Sequence, residues 1–203
     1  MKNCLVTSLM GTFENDSNHY FDKLCFPIAP TTAGKPVVLS TTSGGGLTFK
    51  LEGLTFDGGA TEVSIADNKY LLTNINTGEG KLYILKPQNV KVWSWTVAAN
   101  DTKTYFDLSD FYLCPNIEDI QGAFMKGDLL ELGYCTKLTN VALHQSGNVT
   151  GELKDFADKQ LENGRSSGTC TVKCNGNITL NGVVVGNAVT KTITFSNGSY
   201  TIS

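Results

Sequence analysis

The chain has 203 residues, of which 40% are hydrophobic and 17% charged, and its net charge is −3. That length buries a sizeable core in one domain or two modest ones. The charge balance argues against the basic stripe of a nucleic-acid binder, and no apolar run approaches the roughly 18–20 residues that cross a bilayer.

The N-terminus, Met1-Lys-Asn-Cys-Leu-Val-Thr-Ser-Leu-Met10, alternates and is broken by Gly11 and Thr12. It is too short and polar for a signal-peptide core, so Cys4–Met10 reads as a first strand and the chain is expected to be used without Sec export. Further strands are predicted at Lys23–Ile28, Val37–Thr41, Leu47–Leu51, Glu62–Ile65, Tyr70–Ile75, Lys81–Leu85 and Val90–Val97. This short, regular spacing is that of a sandwich or barrel. Gly44-Gly-Gly46, Asp57-Gly-Gly59 and Thr77-Gly-Glu-Gly80 punctuate it. None of these clusters precedes a helical pattern, as a phosphate cradle requires, so they read as turns, with a hairpin around Gly78 and Gly80.

Trp93 and Trp95 lie two apart and share one strand face. An exposed pair would stack on a sugar ring; a buried pair would cover the β core, and the second reading is preferred.

From Asp107 the chain repeats itself. Leu108, Phe111, Cys114, Ile117 and Ile120 align with Leu129, Leu132, Cys135, Leu138 and Val141, and a partial third copy begins at Glu152-Leu-Lys-Asp-Phe156. A unit of roughly 20–25 residues that cannot bury its own apolar face must stack on its neighbours. Apolar residues at 129, 132, 135 and 138, after an acidic start, predict a helix; a second is predicted over Glu152–Glu162, stopped by Asn163-Gly164. Between them Leu138–Leu143 reads as a strand. Its polar side, Thr139, Asn140, Ala142 and His144, is the candidate partner-binding face, joined by Trp93 and Trp95 should those be exposed. From Gly168 the pattern returns to β structure, with hairpins expected around Asn175-Gly-Asn177 and Ser196-Asn-Gly198.

The chemistry-bearing residues are sparse. Six cysteines show no CxxC or zinc-ligand spacing and read as a reduced, buried set. His19 falls in a polar loop and His144 on the open side of the repeat strand. Asp107, Asp110, Glu118 and Asp119 would serve as a glycosidase pair or a calcium site, but acidic residues at helix starts are explained by the helix dipole alone. No GxSxG or HExxH is present, so no catalytic residue, cofactor or metal is assigned.

Leu138-xx-Val141-x-Leu143 followed by Asn148-Val-Thr-Gly-Glu-Leu153 resembles the leucine-rich-repeat pattern LxxLxLxxNxLxGxI, with four residues instead of two between Leu143 and Asn148. Together with the opening Met-Lys-Xaa-Cys-Leu-Val-Thr, the stretch Asn163-Gly-Arg-Ser-Ser-Gly-Thr-Cys-Thr-Val172 and the closing Thr192-Ile-Thr-Phe to Tyr200-Thr-Ile202, the chain resembles small virion-associated structural proteins of crAss-like tailed phages of gut Bacteroides. The resemblance implies a non-enzymatic head fibre or capsid decoration, located on the virion. It would assemble with itself as a dimer or trimer and with capsid proteins, and would contact a host surface glycan or protein. An adhesion module that binds carbohydrate or protein is the alternative, and a glycan depolymerase comes third.

The expected architecture is α+β and β-rich. A β-sandwich-like domain over 1–105 is followed over 106–203 by a short leucine-rich-repeat-like helix/strand segment closed by C-terminal β-hairpins.

Overall fold

The computed structural model describes residues 23–31, 35–40, 46–96 and 106–203. The predicted strand Cys4–Met10 and His19 lie outside them. The described chain is β-rich and forms three sheets.

The first sheet is antiparallel, in the order β1 (Lys23–Ile28), β5 (Gly80–Leu85), β3 (Leu47–Glu52), β4 (Glu62–Ile65). Register places Leu24, Ile84 and Phe49 in one cross-strand row and Phe26, Leu82 and Leu51 in the next. All six are buried, so alternation along each strand puts one apolar face inward. The expected hairpin around Gly78 and Gly80 does not form. Both edges of β5 are taken by β1 and β3, so the segment ending at Ile75 pairs instead with Phe56 through an isolated bridge.

Among the described residues this region supplies one antiparallel sheet and not two facing ones. Its other strands, β2 (Lys35–Ser40) and β6 (Val90–Thr96), enter a seven-stranded sheet in the order β16, β15, β12, β10, β8, β6, β2. There β6 runs parallel to β8 (Asp119–Gly122), β8 to β10 (Asn140–Ala142) and β10 to β12 (Ser167–Lys173). Partners along one row, Val92, Asp119, Asn140 and Thr171, are separated by 27, 21 and 31 residues, one coil at a time. A five-stranded sheet runs beside it, in the order β14 (Val183–Val184), β13 (Ile178–Leu180), β11 (Asn148–Glu152), β9 (Met125–Asp128), β7 (Phe106–Asp107). The stack therefore begins at β6, before the visible sequence repeat, and the expected boundary at 105 falls between β6 and β7 of a single coil.

Each of the first three coils is completed by a helix after its second strand. In the first two coils this is a 3-10 helix, Leu108–Leu113 and Leu129–Tyr134. In the third it is the α-helix α1, Leu153–Glu162. The predicted helix over 128–138 is thus short and of the tighter kind. Its apolar residues recur every third position, which matches three residues per turn and not 3.6. In α1 the buried residues Leu153, Phe156, Ala157 and Gln160 follow the mixed three-and-four spacing of an α-helix. Asp107, Asp128 and Glu152 stand at equivalent N-caps, each accepting from the backbone N–H two residues on. No helix among the described residues is long and apolar enough to cross a membrane.

The aromatic centre joins the first sheet to the first coil. The Phe26 ring lies 5.3 Å from that of Trp93, 4.9 Å from Phe106 and 6.0 Å from Phe111, so the two regions share one hydrophobic core.

The hairpin at Ser196-Asn-Gly198 forms between β15 (Thr190–Ser196) and β16 (Ser199–Ile202), with Asn197 and Gly198 both at positive φ as a two-residue turn demands. Asn175-Gly-Asn177 does not make one. It is the corner where the chain leaves β12 in one sheet for β13 in the other. Asn175 is buried there, its amide donating to the carbonyls of Ser146 at 2.5 Å and Val149 at 2.8 Å, while its oxygen accepts from Asn177 N. Asn175→Ala removes this donor from two buried carbonyls, of which that of Ser146 keeps its bond from Val149 N, and is expected to lower unfolding free energy by about 1–3 kcal/mol. Asn175→Asp, which cannot donate, should be no milder. Urea denaturation checks both, and a loss near zero would show that the corner does not depend on this amide.

Candidate functional site

The sequence-derived partner face is on the seven-stranded sheet, where β10 sits between β8 and β12. Thr139 is exposed, and Asn140, Ala142 and His144 are half-buried. The polar atoms of Thr139 and Asn140 are tied into the sheet, whereas His144 Nδ1 is shielded from solvent with no hydrogen-bond partner among the described residues. Asn140 Nδ2 donates to Asp119 Oδ1 at 2.7 Å, and Thr171 Oγ1 donates to Asn140 Oδ1 at 2.9 Å. Gln121 Nε2 donates to the second Asp119 oxygen at 2.6 Å, and Thr139 Oγ1 donates to the Glu118 carbonyl at 2.9 Å. The result is a polar ladder crossing three parallel strands, in which side chains are held by their neighbours and presented in fixed positions. Lys91 and Glu118 flank it as a half-exposed ion pair at 3.3 Å.

Trp93 and Trp95 do not belong to that face. They are 0% and 1% exposed, stacked with ring centroids 6.3 Å apart, and they face the core. Their inclusion among partner-binding residues is corrected by this burial, because a strand that buries position 93 buries position 95 as well.

A second feature lies on the helical side of the coils. Ser109 and Tyr112 of the first 3-10 helix and Glu131 and Tyr134 of the second line a hollow of about 420 Å3. The acidic residues noted in the sequence divide here by position. Asp107 caps the first 3-10 helix, accepting from Ser109 N at 3.1 Å and Ser109 Oγ at 2.8 Å, with Lys126 Nζ 3.9 Å away. Glu118 and Asp119 belong to the strand face. Asp110 is 2% exposed, and burial pushes its pKa up to about 6. Burial also raises Glu131, with Asp107 adding repulsion.

The cysteines give no nucleophile among the described residues. Cys114, Cys135, Cys170 and Cys174 are free and buried; burial pushes Cys135 and Cys170 up to about 12 and Cys174 up to about 11. A thiol held protonated packs as a small apolar group. Cys25 differs: it is disulfide-bonded, so the expectation of six reduced cysteines is corrected at that position.

The repeat positions, and with them the polar strand face, are legible in sequence. The hollow is not, because Tyr112 aligns with Gly133 and Tyr134 with Leu113, so the tyrosines occupy unlike positions of the two repeats and meet only once the coils are stacked.

The raised Asp110 pKa fixes a pH dependence. Below the ordinary carboxylate pKa the group is protonated in folded and unfolded chains alike and contributes nothing. As pH rises from about 4 to about 6 only the unfolded chain ionises freely, so stability falls, by on the order of 2–3 kcal/mol in all. Unfolding free energy measured across that window should decline, and Asp110→Asn should flatten the decline. An identical slope in the variant would assign it to other groups.

Comparison with known proteins returns no match: no family model, no curated protein and no solved structure is similar to this chain.

Proposed function

We infer that this chain is a non-enzymatic structural component of a bacteriophage virion, a head fibre or capsid decoration built on a short leucine-rich-repeat-like stack beside a β-sheet module. It is made in the host cytoplasm and joins the particle by pairing with copies of itself and with capsid proteins. The repeat and terminal motifs motivate the reading, and one structural observation carries it. Edge strand β14 closes the five-stranded sheet with Val183 and Val184 at 70% and 57% exposure, and Val189 nearby is 40% exposed. Soluble proteins usually blunt sheet edges with charge, proline or a covering segment, because free N–H and C=O groups beside apolar side chains recruit another strand. An assembly protein keeps such an edge for its neighbour.

The polar ladder around Asn140 favours a second reading, an adhesion module that presents a fixed hydrogen-bonding face to a surface glycan or protein. The two readings separate by mass. Mass photometry of the purified protein should give a dimer or trimer, and Val184→Lys should shift it toward monomer with near-ultraviolet circular dichroism unchanged. A strict monomer that binds glycans would replace the assembly reading with the adhesion one. Negative-stain images of phage particles decorated with antibody to this chain test the location directly, and unlabelled particles would remove it from the virion.

A further inference from the structure

The hollow between the two 3-10 helices plays no part in strand-edge assembly and lies away from the polar strand face. Its volume of about 420 Å3 falls in the range of small-molecule sites, roughly 300–1,000 Å3. Two aromatic rings line it with much of their surface open, Tyr112 at 38% and Tyr134 at 52%. Tyr134 already holds one cation: the Lys159 ammonium sits over its ring, 5.4 Å from the centroid. That contact is the attraction of a positive charge for the ring's negative face. Glu131 lines the hollow with them, and its Oε2 is shielded from solvent and has no hydrogen-bond partner among the described residues.

Among the described residues carboxylates outnumber the cations around the hollow. Asp107, Asp110 and Asp128 lie on the same two helix starts as Glu131, and Lys126, half exposed, reaches Asp107 at 3.9 Å. Ser109 directs its hydroxyl to Asp107. Burial raises the pKa of both Asp110 and Glu131, and Asp107 repels each of them. A neutral sugar would stack on the tyrosines but leave the shielded Glu131 oxygen without a charge partner. A cation would satisfy rings and carboxylate together.

We propose that this hollow binds an organic cation of the alkylammonium class, seated between Tyr112 and Tyr134 with its charge against the Glu131 carboxylate. The site is independent of the particle reading, since a monomer that takes up the cation would sink that reading and leave this one standing. The test follows the tyrosine ring resonances of the full chain by NMR at pH 7.5 during titration with tetramethylammonium chloride, against sodium chloride at equal ionic strength. Saturable shifts of Tyr112 and Tyr134 are expected with tetramethylammonium alone. Parallel titrations with choline and with Nα-acetyl-lysine amide tell a quaternary headgroup from a lysine side chain, and a saturable response to either supports the site. Tyr112→Ala, a change at an exposed ring, and Glu131→Gln should each weaken binding by roughly threefold or more, whereas Tyr70→Ala in the other region should not. The proposal is overturned by equal responses to sodium and tetramethylammonium, by methyl glucoside shifting these resonances where the cations do not, or by no saturable shift with any cation.

Discussion

The stack depends on side-chain donors that reach back one coil to the carbonyls at its corners. Narrow coils turn sharply between sheets, and at each corner these donors add to the backbone bonds of the turn, such as Thr139 N to the Glu118 oxygen and Val149 N to that of Ser146. A buried carbonyl without a donor costs free energy comparable to a lost hydrogen bond. Here Asn116 serves the Gln88 carbonyl, Thr139 that of Glu118, Gln160 those of Leu132 and Cys135, and Asn175 those of Ser146 and Val149. Arg165 does the same for Leu138, stacks its guanidinium 4.4 Å from the Phe195 ring, and so binds the end of α1 to the strands on either side. In this way a composition rich in asparagine, serine and threonine, which in isolation suggests loops, becomes the material that holds successive coils together.

The same constraint explains what could be read from the sequence. Strands β1 and β4 are legible to the residue, because their apolar positions alternate and turn residues bound them. The helix α1 is legible from its spacing and its Asn163-Gly164 stop. The coils before it were only half legible: an interval of three between Leu129, Leu132 and Cys135 looks helical, and only its failure ever to become four distinguishes a 3-10 turn from an α-helix. The corner at Asn175-Gly-Asn177 has the composition of a hairpin. Composition does not tell whether the next strand returns beside the last or crosses to another sheet; the burial of the Asn175 amide does.

Function was harder to read than fold for a related reason. Repeated positions announce themselves by alignment, and they turn out to carry the structural duties of capping and core filling, as Asp107, Asp128 and Glu152 do. The tyrosine-lined hollow is assembled from positions where the repeats differ. Trp93 and Trp95 illustrate the converse, two large aromatics that attract a surface interpretation but are consumed by the aromatic centre joining sheet to stack.

The arrangement of the last strands also sets a dimension. β12 is followed in its sheet by β15, which runs antiparallel to it, and β13 is followed by β14 in the same sense. Glu152 fastens that closure, taking hydrogen bonds from Thr179 Oγ1, Asn181 N and Gly182 N. A coil added after β12 would find the adjacent place already filled, so the number of parallel layers cannot drift by duplication without displacing the closing strands. At about 4.8 Å between neighbouring strands, the four parallel layers from β6 to β12 measure about 14 Å, a spacer of set thickness whose gauge is written into the chain.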